Sequence, residues 1–107
     1  DNMALQSEIT LNNGIQLSEA YIVINEILFS YPVNDIPSAR ISVLVYKDLQ
    51  SKNSGKTEVT QFYYTVSGST FETYFSENVL EQEGKTHLEQ AYTYLKSLEM
   101  YENAIDV

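Results

Sequence analysis

Cysteine is absent from this 107-residue chain, which excludes disulfides, thiolate metal sites and a cysteine nucleophile and leaves the redox compartment open. Histidine occurs once, at His87, and one imidazole makes neither a zinc site nor a catalytic triad without convergent partners. Basic residues are scarce, six against fifteen acidic ones, for a formal net charge of −9. Nucleic-acid binding draws its affinity from clustered Lys and Arg, so neither nucleic acid nor an anionic membrane is expected as a partner. No apolar run approaches the ~20 residues of a membrane helix, and the start of the chain lacks the basic-then-apolar order of a signal peptide. The sequence reads as soluble and without an address, and Asp1-Asn2 ahead of Met3 reads as an added leader before a native start. Glycine is sparse too. Gly55-Lys56-Thr57 and Gly84-Lys85-Thr86 end like a phosphate-binding loop, but Gln50 and Val79 stand where that loop needs its earlier glycine. No nucleotide site and no cofactor is expected.

What is present belongs to an ordinary globular domain: 43% hydrophobic, 20% charged and 12% aromatic residues. A chain of this length fits one domain, residues 1–107, burying on the order of 65% of its unfolded surface.

The centre of the chain predicts a long β-hairpin. Ala39 to Asp48 and Thr57 to Val66 are dense in β-branched and aromatic residues, and Ser51 to Lys56 between them is loop chemistry. Alternation places Ile41, Val43 and Val45 on one face of the first arm with Leu44 and Tyr46 on the other. It likewise groups Phe62, Tyr64 and Val66 opposite Val59 and Tyr63. Earlier, Ile9, Leu11, Ile15 and Leu17 flank Asn12-Asn13-Gly14, which predicts a hairpin with a type I′ turn. Tyr21 to Ser30 is almost continuously apolar and predicts a strand buried on both sides. Pro32 and Pro37 make residues 31–38 a surface connection. After Ser67-Gly68-Ser69, the alternation of Phe71, Thr73 and Phe75 with Glu72 and Tyr74 predicts a final strand over Thr70 to Ser76.

The character then changes. Glu77 to Glu83 suits a turn of helix, and Gly84 breaks it. Thr86 with Glu89 three residues on forms a capping box that opens a helix from about His87 to Met100. Its apolar stripe is expected to be Leu88, Ala91, Leu95 and Leu98, with Tyr92 at one margin and His87, Tyr94 and Tyr101 along the other. Glu89, Gln90, Thr93 and Lys96 are expected to face water.

Glu26 lies in an apolar strand. It is either a margin residue in water or, if buried, in need of a partner, for which Arg40, the one arginine, is the candidate. The abundant carboxylates are expected to be solvated, and a paired-carboxylate site depends on a separation that spacing in sequence does not supply. Arg40, Lys47, Lys52 and Lys56 fall on or beside the long hairpin's loop, whereas residues 77–107 carry seven acids against two lysines, a balance of −5. Complementary patches of this kind suit head-to-tail association, although lysines on hairpin tips also serve solubility and edge protection. Nine tyrosines suit interfaces that are wet before assembly, and equally a core margin. The candidate interface residues are Lys47, Lys52, Lys56, His87, Tyr94 and Tyr101.

Ser42-Val43-Leu44-Val45-Tyr46-Lys47-Asp48, a loop closing on Gly55-Lys56, the aromatic Phe62-Tyr63-Tyr64, and Ala91 to Leu98 followed by Ala104-Ile105-Asp106 together resemble small phage and prophage proteins encoded among tail-region structural genes. The resemblance spans about residues 11–107. It implies a non-enzymatic virion component of tail, baseplate or fibre attachment, made in the host bacterial cytoplasm, homo-oligomeric and in contact with other virion proteins. It carries over no catalytic residue.

The expected fold is α+β: a mostly antiparallel sheet of about five or six strands with a C-terminal helix on one face, since the strands precede the helix. A virion structural or assembly protein is the first functional expectation. A carbohydrate-binding module stacking sugars on Tyr63, Tyr64 or Tyr74, and a small acidic inhibitor or immunity-type protein, are the alternatives. An enzyme comes last.

Overall fold

The computed structural model describes residues 3–107, so the expectation that Asp1-Asn2 is an added leader falls outside the described residues. Five antiparallel strands form one sheet in the order β4-β3-β2-β1-β5: β1 (Leu5–Thr10), β2 (Gln16–Ser30), β3 (Ser38–Tyr46), β4 (Thr60–Ser67) and β5 (Ile105–Asp106). The first four are a meander, and β5 returns from the far end of the chain to pair with β1. Helices α1 (Leu49–Asn53), α2 (Gly68–Phe75), α3 (Glu77–Leu80) and α4 (His87–Lys96), with a 3-10 turn at Glu99–Tyr101, complete an α+β fold.

The long hairpin forms as its alternation predicts. Ile41, Val43 and Val45 are buried completely and face the same way as Val66, Phe62 and Tyr64 across the β3–β4 ladder. With Leu5, Ile9, Ile22, Ile24 and Ala39 they make the inner face of the sheet, on which Phe71, Phe75, Ala91, Tyr92, Leu95 and Tyr101 pack. Within the loop, Asp48 Oδ1 accepts the Ser51 N–H at 2.7 Å and so caps α1. Hydrogen bonding from Ser51 is the main reason the Asp48 carboxyl is held below its usual range.

Four expectations are corrected. The Asn12-Asn13-Gly14 turn is not type I′, because no described residue other than glycine has positive φ. The Leu11 carbonyl accepts the Gly14 N–H at 2.9 Å and the Leu11 N–H reaches the Ile15 carbonyl at 2.8 Å, so Gly14, at φ +88°, alone takes the left-handed position. Second, β2 is covered on both faces only over Ala20 to Ile24. Past a bulge between Ile24 and Glu26 its outer positions open to water, with Leu28 50% exposed, because the helices of the C-terminal half lie on one side of the sheet only.

Third, residues 70–75 are helical, not extended, and only Ser76, which ends α2, has extended backbone. Ser67 ends β4, Gly68 turns the chain at φ +62°, and Phe71 and Phe75 fall on one helical face and bury together. Spacing by four fits a helix and a strand alike. Thr73, expected beside them, is exposed and bonds back to the Ser69 carbonyl at 2.9 Å.

Fourth, α4 is capped as expected, with Thr86 Oγ1 accepting the Glu89 N–H at 3.2 Å, but it stops at Lys96 and is rotated about its axis. Extended backbone at Leu98 separates it from the 3-10 turn. Tyr92 is central in the core rather than marginal, Leu88 is partly exposed, and Gln90 is buried, its Nε2 donating to the Tyr74 carbonyl at 3.0 Å. The cause is the Tyr92 hydroxyl, which accepts the Ile24 N–H at 2.9 Å and donates to the Met3 carbonyl at 2.8 Å. These bonds lie just past Leu5↔Ile22, where the β1–β2 ladder ends.

Candidate interaction surface

The outer face of the sheet, opposite the helices, is covered at one end only. There α1 packs against β2 and β3, and Lys52 Nζ lies 5.9 Å from the centre of the Tyr21 ring. Elsewhere it is open. The Arg40 guanidinium stacks 4.4 Å above the Tyr63 ring, and Gln61 Nε2 donates to Ser42 Oγ at 2.7 Å. Glu26 is exposed and stands opposite Ser42, whereas Arg40 pairs across the ladders with Leu28 and Thr65. The Glu26–Arg40 pairing is therefore not made, and Glu26 is a margin residue in water.

Beyond β2 and β3 the connection 31–37 projects as an apolar tip. Pro32 and Pro37 deny it ladder hydrogen bonds, and Asp35 Oδ1 turns it by accepting the Ile36 N–H at 2.7 Å. Tyr31, Val33 and Ile36 are left 68%, 96% and 56% exposed. Behind the tip, Phe29 meets Phe71, Phe75 and the His87 ring, anchoring its base to α2 and α4. Sequence does carry a signal for the tip, three large apolar residues within a loop that proline keeps out of the sheet, although the prolines alone mark it only as a surface connection.

The remaining expected interface residues separate. His87 opens α4 with its ring 4.7 Å from Phe29; Tyr94 packs edge-on against Tyr74 at 5.5 Å; Tyr101 is wholly buried, its hydroxyl 2.7 Å from that of Tyr64. They form no seam, because the helix that was to align them ends before Tyr101. Burial pushes the Tyr101 phenol strongly up, and its hydrogen bond with Tyr64 adds to the effect. Lys47, Lys52 and Lys56 are exposed around α1, but Arg40 lies towards the other end of β3 and does not join them. Lys96, in the acidic C-terminal region, pairs with Asp106 at 3.1 Å on the surface. Tyr63 and Tyr64 point to opposite faces of the sheet and Tyr74 packs on Tyr94, so the three tyrosines do not make a flat row for sugar rings. Among the described residues no three His, Asp or Glu side chains converge.

No protein-family model matches the chain, and neither a curated protein nor a solved structure is significantly similar to it.

Proposed function

We propose that this chain is a non-enzymatic structural or assembly component of a phage particle, in tail, baseplate or fibre attachment, acting through contacts with other virion proteins. The observation that carries this reading is the apolar tip. Three large exposed side chains at the end of the β2–β3 hairpin, with Tyr31 resting on the aromatic cluster at its base, are a docking element rather than a core residue set. The resemblance of the β3–β4 and α4 segments to tail-region proteins supplies the setting.

The test is incorporation. Particles produced by the phage or prophage that encodes the chain are purified and analysed by mass spectrometry, with wild type and Val33→Asp compared. The wild-type chain is expected in the particle at stoichiometric amount and the variant at less than a tenth of it, with its circular dichroism unchanged. Absence of the wild-type chain from purified particles overturns the proposal.

A further inference from the structure

The outer edge of β4 is an unguarded sheet edge. Two hydrogen bonds establish which way its main chain points. The Ile24 N–H, turned to the β1 side of β2, reaches Tyr92 Oη, and the Val45 carbonyl, turned to the β4 side of β3, accepts the Val59 N–H at 2.7 Å. Strand alternation then directs the main-chain groups of Ala39, Ile41 and Val43 to β4 and those of Phe62, Tyr64 and Val66 back to β3. Gln61, Tyr63 and Thr65 are left with both N–H and C=O facing out of the sheet, and among the described residues no strand pairs with them.

Natural sheet edges are blunted by charge, proline or a bulge. Thr60–Ser67 has none of these: it holds no charged residue and no proline, and its register with β3 is unbroken. An eight-residue strand free of charge is thus kept on the edge of a chain whose net charge is −9, where acidic residues to repel a second edge are plentiful.

We infer that β4 pairs with β4 of a second copy of this chain, antiparallel about a two-fold axis at Tyr63, joining two five-stranded sheets into one. The sequence Thr60–Ser67 is self-complementary in that register. Tyr63 meets Tyr63 of the second copy and Gln61 meets Thr65, so each outward residue both donates and accepts a main-chain bond. On the inner face Phe62 falls opposite Tyr64, an aromatic pair of the kind that stabilises ladders, and Thr60–Ser67 itself sets no like charges opposite one another. The Arg40 guanidinium on each Tyr63 ring lies on the outer face beside the axis. A two-fold contact uses the β4 edge of each copy and closes, giving a dimer rather than a filament, with β5 at either end of the joined sheet. This pairing rests on the proposed role in assembly and names one partner in it.

The test uses the full chain in sedimentation equilibrium across a hundredfold concentration range. Wild type is expected to be dimeric. Tyr63→Lys, which sets two ammonium groups against each other at the axis, is expected to raise the dissociation constant at least tenfold with an unchanged circular dichroism spectrum. Amide exchange gives a second readout that needs no variant: Gln61, Tyr63 and Thr65 amides are expected to be protected at high concentration and to exchange at least tenfold faster on dilution. A wild-type monomer throughout, or fast exchange of those three amides in the dimer, overturns the pairing. A dimer that Tyr63→Lys leaves intact also overturns it, while leaving assembly through another surface standing. Loss of particle incorporation in Val33→Asp with the dimer unchanged bears on the tip alone.

Discussion

Tyr92 ties α4 to the main chain of Ile24: its phenol oxygen accepts the Ile24 N–H at 2.9 Å where β1 no longer covers β2, and its O–H donates to the Met3 carbonyl at 2.8 Å. A buried main-chain donor and a partly buried main-chain acceptor are satisfied by one side chain, sixty-eight residues from the first and eighty-nine from the second. The same bonds set the rotation of α4 over the sheet.

Tyr92→Phe keeps the ring and removes the hydroxyl. Leaving buried main-chain groups unpaired costs about 1–3 kcal/mol. The variant is expected to unfold at lower urea concentration with an unchanged denaturant slope, and the Ile24 amide to exchange faster than in wild type. An unchanged midpoint would mean that something other than this hydroxyl fixes the rotation of α4.

Alkaline pH is expected to unfold the protein through its tyrosines. Burial raises Tyr64, Tyr92, Tyr94 and Tyr101 above the ordinary value of 10.0. The unfolded chain gives up these protons near pH ~10 while the folded chain keeps them, so the folded state binds more protons and stability falls as pH rises. Below that value the contribution is fully present. Urea midpoints should be level from about pH 8 to about 9.5 and drop above it, less steeply in Tyr101→Phe. A midpoint level to about pH 11 would contradict the burial of these phenols.

Gly68 marks the passage from β4 into α2 at φ +62°, with no atom within 4 Å of where a Cβ would stand. Gly68→Ala therefore meets no clash, only backbone strain, and is expected to lose about 1 kcal/mol of stability, with Gly68→Asn losing less. Thermal denaturation of the pair against wild type checks the order. An alanine variant as stable as wild type would place the turn elsewhere.

How much was legible follows from how local each determinant is. The strands containing Tyr21–Ser30, Ile41–Val45 and Phe62–Val66 announce themselves because β-branched residues alternate over a long enough run to leave one period. The Thr86 cap was readable for the same reason, since its bond spans three residues. By contrast, Thr70 to Ser76 is too short to separate a period of 2 from one of 3.6, and Phe71 with Phe75 satisfies both. Of the expected interface, the lysines at 47, 52 and 56 do lie around the loop, but the His87–Tyr94–Tyr101 seam assumed a helix continuing past Lys96.

By itself the sequence determined two antiparallel hairpins, the charge imbalance and the capped start of α4, because each depends on neighbours in the chain or on composition. Tertiary structure alone decided which way α4 is turned, where Arg40 lies relative to the lysines, and that β4 stands at an open edge. Those depend on which strand ends first and what reaches across the gap, relations between residues far apart in the chain that no local pattern encodes.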